Sequence, residues 1–126
     1  MIKEVSFDIW GREFTLPIVY ATLSDGVIND NQAEAIENFN RHIEWIEKSK
    51  RKVEEYCKED LMNDAENEKK DNIFSYIKPE RIYVKREKAH PRVALMCKYR
   101  YDPEHGLAVV FTADGEITVG IQDIIL

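Results

Sequence analysis

Residues 92–121 read RVALMCKYRYDPEHGLAVVFTADGEITVGI, and the fold follows from where that run is divided. Val93, Leu95, Cys97, Tyr99 and Tyr101 alternate with Arg92, Lys98 and Arg100, the period-two pattern of a strand with one apolar face. Leu107, Val109 and Phe111 repeat the pattern, and so do Ile117, Val119 and Ile121. A two-residue Asp114-Gly115 loop would set Phe111 opposite Thr118. A three-residue loop, Ala113-Asp114-Gly115 with Gly115 left-handed, pairs 111 with 117, 109 with 119 and 107 with 121 instead, and core formation favours it. The connection Asp102-Pro103-Glu104-His105-Gly106 is read as a five-residue loop setting Tyr101 opposite Leu107 and Tyr99 opposite Val109. With a strand started by Ile82 and Val84, the C-terminal part forms a four-stranded antiparallel meander.

Working back toward the N-terminus, Val5, Phe7 and Ile9 alternate on one parity and Phe14, Leu16 and Ile18 on the other. A two-residue loop at Gly11-Arg12 would pair 9 with 14, 7 with 16 and 5 with 18, placing all six on one face with Gly11 first in a type II′ turn. Trp10 falls on the outward parity. It either seeds an apolar contact patch with Tyr83 or is covered by a helix or loop.

Between hairpin and meander the period becomes helical. Asn29 caps and Gln32 completes a capping box. Ile36, Phe39, Ile43, Ile46, Val53 and Cys57 then predict one long amphipathic helix, its stripe interrupted at Lys50. Trp45 edges its buried face. The polar run 47–52 takes the helix off the body of the domain; 59–72 is acidic and reads as a frayed end or exposed loop. A short helical turn around Ile73–Ile77 ends before Pro79. There is no internal repeat, and the expected fold class is α+β: an antiparallel sheet with one long helix packed on one face.

A chain of 126 residues with 44% hydrophobic residues, five Gly and four Pro has room for one ordinary core, so 1–126 is read as a single domain. Eighteen Lys plus Arg against 24 Asp plus Glu leave a formal charge of -6, which argues against nucleic acid as the main partner and fits solubility or docking on a basic protein. Two cysteines, Cys57 and Cys97, have neither disulfide-scaffold nor zinc-site spacing, so a reducing cytoplasm is expected. Cys97 lies on an inward parity, where a thiol acts as a small hydrophobe; Cys57, near a frayed helix end, is expected to be partly exposed. No apolar run is long enough for a bilayer, and the chain starts on a strand-like segment rather than a leader, so no membrane and no export are expected.

Asp102, Glu104 and His105 crowd one turn and could bind a metal or serve acid–base chemistry. The plainer reading is turn chemistry, with Asp102 and Pro103 opening the turn and Gly106 closing it. His42 reads as a helix-surface contact, and His90 precedes Pro91 in a charged loop. Lys48, Lys50, Arg51 and Lys52 are interleaved with Glu44, Glu47, Glu54 and Glu55 at helical spacing, which reads as a solvated, salt-bridged face. The acidic stretch Glu59, Asp60, Asp64, Glu66, Glu68 could mimic phosphates toward a basic partner. No phosphate-binding, dinucleotide, nucleophile-elbow or zinc motif is present.

Two segments, Asp102-Pro-Glu-His-Gly-Leu-Ala-Val-Val-Phe111 and Val119-Gly-Ile-Gln-Asp-Ile-Ile-Leu126, resemble a family of small bacterial domains of unknown function with a Glu-His-Gly-Leu-Ala turn and a Val-Gly-x-Gln-Asp-x-x-Leu end. Gly11-Arg-Glu-Phe-Thr-Leu-Pro17 and the helix start near Gln32 are also similar. Tyr101-Asp102 stands where that family often has Trp-Asp, and residues 47–72 match nothing in it. The resemblance implies a fold and a bacterial cytoplasmic setting, and by analogy with immunity proteins of toxin systems a non-enzymatic role. Gly106 and Gly120 would serve turn or bulge geometry, while Gln122 and Asp123 would hydrogen-bond the turn at 102–105. The expectation is a protein-binding immunity protein without cofactor or metal, contacting a toxin through Asp60, Asp64, Glu66 and Glu68. The rival is a small metal-binding or hydrolytic enzyme using Asp102, Glu104, His105 and Asp123; a third reading is a structural or regulatory subunit.

Overall fold

The computed structural model describes residues 3–23, 26–62, 73–87 and 92–126. Six strands form one sheet in sequence order: β1 (Lys3–Ile9), β2 (Arg12–Tyr20), β3 (Ile77–Val84), β4 (Arg92–Tyr99), β5 (Leu107–Thr112) and β6 (Ile117–Gly120). Neighbours pair antiparallel except β2 and β3, which run parallel through Ile18–Ile82, Val19–Tyr83 and Tyr20–Val84. The hairpin and the meander are thus one mixed sheet, and the class is α+β.

Two helices replace the one expected, α1 (Asp30–Arg41) and α2 (Glu44–Met62). No Pro or Gly marks the break. His42 leaves the helical region at φ -128, ψ 46; its carbonyl accepts from Trp45 N at 3.0 Å, and its ring stacks on the Trp45 indole, 4.5 Å between centroids and 5° apart. At the start of α2 the Glu44 carboxylate meets His42 Nδ1 at 3.1 Å, and this hydrogen bond holds its pKa below the ordinary value. The bend lets α1 cover β3 and β4 while α2 runs along β5 and β6. Ile43, placed in the stripe by spacing, sits at the bend and is 37% exposed. Ser49 takes the inward position beside Lys50 and is fully buried.

Two of the expected pairings shift by an even number of residues, two in the first hairpin and four between β4 and β5, which preserves every face. The first hairpin turns at Trp10-Gly11, not Gly11-Arg12, and pairs Phe7 with Phe14 and Val5 with Leu16. Trp10 and Gly11 both have positive φ, 52° and 87°, the requirement of a type I′ turn. Trp10 tolerates that conformation because its indole is buried: it packs on Phe74 at 5.0 Å, and its N–H points at Ile46 O (3.2 Å) and Ser49 Oγ (3.1 Å). The exposed Trp10–Tyr83 patch is therefore corrected; α2 and the 3₁₀ turn Ile73–Tyr76 cover the tryptophan. Likewise Leu107 faces Cys97 and Val109 faces Leu95, not Tyr101 and Tyr99, because β4 ends at Tyr99. The β5–β6 loop is the three-residue form, with Gly115 at φ 84° and Phe111 opposite Ile117. A Cβ on Gly115 would stand 3.0 Å from the Trp45 indole nitrogen.

The main core lies between helices and sheet. Phe39 bridges it, with ring centroids 6.0 Å from Phe7 of β1 and 5.3 Å from Phe111 of β5, so strands near opposite edges of the sheet close on one helical residue. Each such buried aromatic or aliphatic side chain contributes about 1.5–3 kcal/mol. Cys57 and Cys97 are both fully buried in this core, which corrects the expectation for Cys57. Burial first, then Glu80, pushes the Cys97 thiol up. A second, smaller core lies on the other face: Ala94, Met96, Ala108 and Val110 are closed over by Ile125.

Gln32 joins these parts. It is fully buried; its Oε1 accepts from Asn29 N and its backbone N–H donates to Asn29 Oδ1, the capping box read from sequence. Its amide also donates to the carbonyls of Ala21, after β2, and Val84, at the end of β3. One side chain thus closes the N-terminus of α1 onto the parallel seam.

Candidate functional site

The turn after β4 carries the residues singled out in the sequence. Asp102 N donates to Tyr99 O at 3.1 Å and Gly106 N to Asp102 O at 2.8 Å, closing a compact loop. Within it the Asp102 carboxylate accepts from His105 N at 3.3 Å and lies 2.9 Å from His105 Nδ1. The hydrogen bond and charge of Asp102, helped by Glu104 and Asp123, raise the His105 pKa. Glu104 is exposed, as is Asp123. Among the described residues no three His, Cys, Asp or Glu side chains converge as a metal-ligand group; Asp102 and His105 form a pair.

Gly106 and Gln122 do something else. Gly106 has φ 63°, and a Cβ there would stand 2.6 Å from Gln122 Nε2 and 2.8 Å from Cys97 O. Its missing side chain is the space through which Gln122 Nε2 reaches Cys97 O at 3.0 Å. Gln122 N also donates to His105 O at 3.1 Å, so the expected link between Gln122 and the turn exists, made by the backbone. The side chain continues past the turn to β4. The 3₁₀ turn Gln122–Ile124 then returns the chain, with Ile125 N on Gln122 O at 3.2 Å, so that Ile125 seals the second core. Gly120 has no positive φ; it is small because Ile124 packs 3.1 Å from where its Cβ would be. Asp123 takes no part in this clasp.

The partner-binding residues expected at 60–68 fall outside what is described: Asp64, Glu66 and Glu68 lie in 63–72, and only the backbone of Asp60 is placed, at the end of α2. The basic helix face is as expected at Arg51, whose Nε is 3.3 Å from Glu55. Lys50 departs from it, lying 5.8 Å over the Phe74 ring. Sequence reasoning missed Ser49 and Ile125. Ser49 had no apolar signal, but the even-numbered Ala94, Met96, Ala108 and Val110 leave β4 and β5 apolar on both parities, the mark of strands covered on two faces. That pattern required a cover such as Ile125.

A cavity of about 480 Å³ opens beside the same turn, lined by Tyr76, Ile77, Lys78, Lys98, Tyr99, Arg100 and Pro103. None of these was grouped by the sequence, because they meet only where the start of β3 pairs with the end of β4.

The architecture defines a small α+β domain in which a mixed six-stranded sheet is covered by two helices on one face and its own C-terminal segment on the other. The chain belongs to a family described as a domain of unknown function, DUF6985, which matches residues 1–126. No curated protein matches the chain. No solved structure matches it either. No helix among the described residues is long and apolar enough to cross a membrane.

One consequence of the turn is testable alone. His105 is expected to titrate above the ordinary 6.5 for histidine, and Asp102→Asn to return it toward that value, read by NMR of the imidazole carbons across pH. Because the folded value is raised, the pair favours the folded state below the ordinary histidine pKa, and that contribution is lost as pH rises through the raised value. Equal His105 titration in both proteins would mean that the Asp102 contact does not persist in solution.

Proposed function

We propose that this protein acts by binding another protein, as an immunity protein that neutralises a cognate bacterial toxin in the cytoplasm. The observation that carries the reading is the employment of the family-type motif residues: Gly106 and Gln122 anchor the C-terminal segment to β4, and the Asp102 carboxylate is engaged by His105. Two of the motif residues, Gly106 and Gln122, thus serve the fold. The charge of -6, with the acidic stretch Glu59, Asp60, Asp64, Glu66 and Glu68, supports a basic partner surface, for which association is fast and salt-sensitive.

The test is a toxicity rescue. The product of the gene immediately upstream is expressed in a heterologous bacterium with and without this protein, and survivors are counted. Rescue with co-purification is expected, and Asp60, Asp64, Glu66 and Glu68 changed together to Lys should weaken the complex by at least a hundredfold, since like-charge contacts cost several kcal/mol. Rescue with unchanged affinity in that variant moves the contact elsewhere on the surface; a harmless neighbour that does not co-purify overturns the immunity reading.

The 2.9 Å Asp102–His105 pair favours a second reading, a metal-binding or hydrolytic enzyme centred on that turn. Calorimetric titration with zinc decides it: stoichiometric binding lost in His105→Ala supports a site, and no heat above dilution removes it.

A further inference from the structure

The cavity beside the turn gathers Lys78, Lys98 and Arg100 on a chain whose formal charge is -6. Lys78 and Lys98 are direct cross-strand partners in β3 and β4, an arrangement in which like charges repel and cost stability. Arg100 adds a third cation one residue beyond β4, with its guanidinium 5.5 Å from the Tyr76 ring centroid and its backbone N–H on Tyr76 O at 2.9 Å. Among the cavity's cations, Lys98 is ion-paired, its Nζ 3.7 Å from Glu80 Oε2, and the carboxylates Asp102 and Glu104 flank Pro103 in the adjoining turn. Lys78 and Arg100 have no ion pair among the described residues. Tyr76, Ile77 and Pro103 supply apolar and aromatic wall, and the volume of about 480 Å³ falls within the range of small-molecule sites.

We infer that this cavity binds a small organic anion, a phosphate or carboxylate carried on a flat apolar body. The anionic group sits between Lys78, Lys98 and Arg100, where charge-assisted hydrogen bonds form. The body lies against Tyr76 and Pro103. The cross-strand lysine pair makes sense in these terms: a repulsion that is unfavourable in the empty cavity becomes the attraction that holds the ligand. Pro103 belongs to the same turn as Asp102 and His105, so an occupied cavity would abut that turn. This inference is independent of toxin binding.

The test titrates the full chain, ¹⁵N-labelled, with phenyl phosphate and separately with inorganic phosphate. Phenyl phosphate is expected to produce saturable shifts at the amides of 76–78 and 98–102, with Kd about 1 mM or tighter. Inorganic phosphate, which uses the charges but not the walls, should bind at least about threefold more weakly. The double variant Lys78→Gln, Lys98→Gln should lose at least about tenfold in affinity and, without ligand, melt roughly 1–5 °C higher once the repulsion is gone. Arg100→Gln should also weaken binding, whereas Lys52→Gln on α2 should not. Equal affinity for the two phosphates, unchanged affinity in the double variant, or shifts scattered over other basic surfaces overturns the inference.

Discussion

Replacing Trp10 with alanine is expected to cost about 3–5 kcal/mol of folding free energy, in the range for truncating a buried Trp. The indole is 6% exposed and lies between Phe74 and α2, where its N–H is shared by Ile46 O and Ser49 Oγ. The variant therefore loses apolar contact on two sides and leaves the buried Ser49 hydroxyl with only its bond to Ile46 O. Urea denaturation followed by circular dichroism should show a lower midpoint with an unchanged slope, and Trp45 remains to report tertiary structure. The φ of +52° at Trp10 adds a second arm. An alanine there keeps the left-handed strain, while Trp10→Gly releases it and should recover about 1 kcal/mol of the loss. A total loss below about 1 kcal/mol would show that the hairpin tip is not anchored on α2.

Gly106→Ala is expected to cost about 3 kcal/mol. Left-handed backbone at an alanine contributes about 1–2 kcal/mol of this. The rest comes from steric exclusion, because the methyl would stand 2.6 Å from Gln122 Nε2 and 2.8 Å from Cys97 O. If Gln122 withdraws, the Cys97 carbonyl loses this donor, a penalty of up to about 1–3 kcal/mol for a buried acceptor. Gln122→Ala alone pays this last part without the first. The double variant should fall short of the sum of the single ones, since the Gln122 clash is counted once, yet remain less stable than Gln122→Ala because the methyl still meets the Cys97 carbonyl. A fully additive pair would mean that the two residues do not touch.

The parity of every strand was legible in the sequence, and the register of two loops was not, for one physical reason. A side chain's face repeats every two residues, so moving a turn from 11–12 to 10–11, or lengthening the connection after β4, leaves the same residues inward. Only tertiary contact distinguishes the alternatives: Trp10 reaching α2, and Asp102 N closing on Tyr99 O. The break between α1 and α2 was equally hidden, since His42 and Ile43 are ordinary helix residues and the apolar spacing continues across them. The bend follows from His42 stacking on Trp45 and from the two halves covering different strands. In the candidate site, the residues of the clasp were legible as a motif, but their work was not. That Gln122 passes a glycine to reach a carbonyl of β4 depends on the C-terminal segment folding back, which no local pattern encodes. The anion cavity was hidden for a related reason, because Lys78 and Lys98 become neighbours only through a strand pairing with a register shift between Pro79 and Arg81.

The parallel seam between β2 and β3 has a consequence for how the chain reaches this state. The β1–β2 hairpin and the β3–β6 meander each close through contacts local in sequence, whereas Ile18 meets Ile82 only after both helices have been laid down between them. Such a closure carries most of the loop entropy and slows folding. The hairpin would therefore dock late and, during native fluctuations, leave first, with amides at 18–20 exchanging with solvent sooner than those of β4 and β5. Each opening would uncover two bare strand edges at once, one on β2 and one on β3, both competent to pair with another chain. Gln32, bonded to the backbone on both sides of that joint, is then a latch whose value lies as much in preventing association of half-open molecules as in the stability it adds.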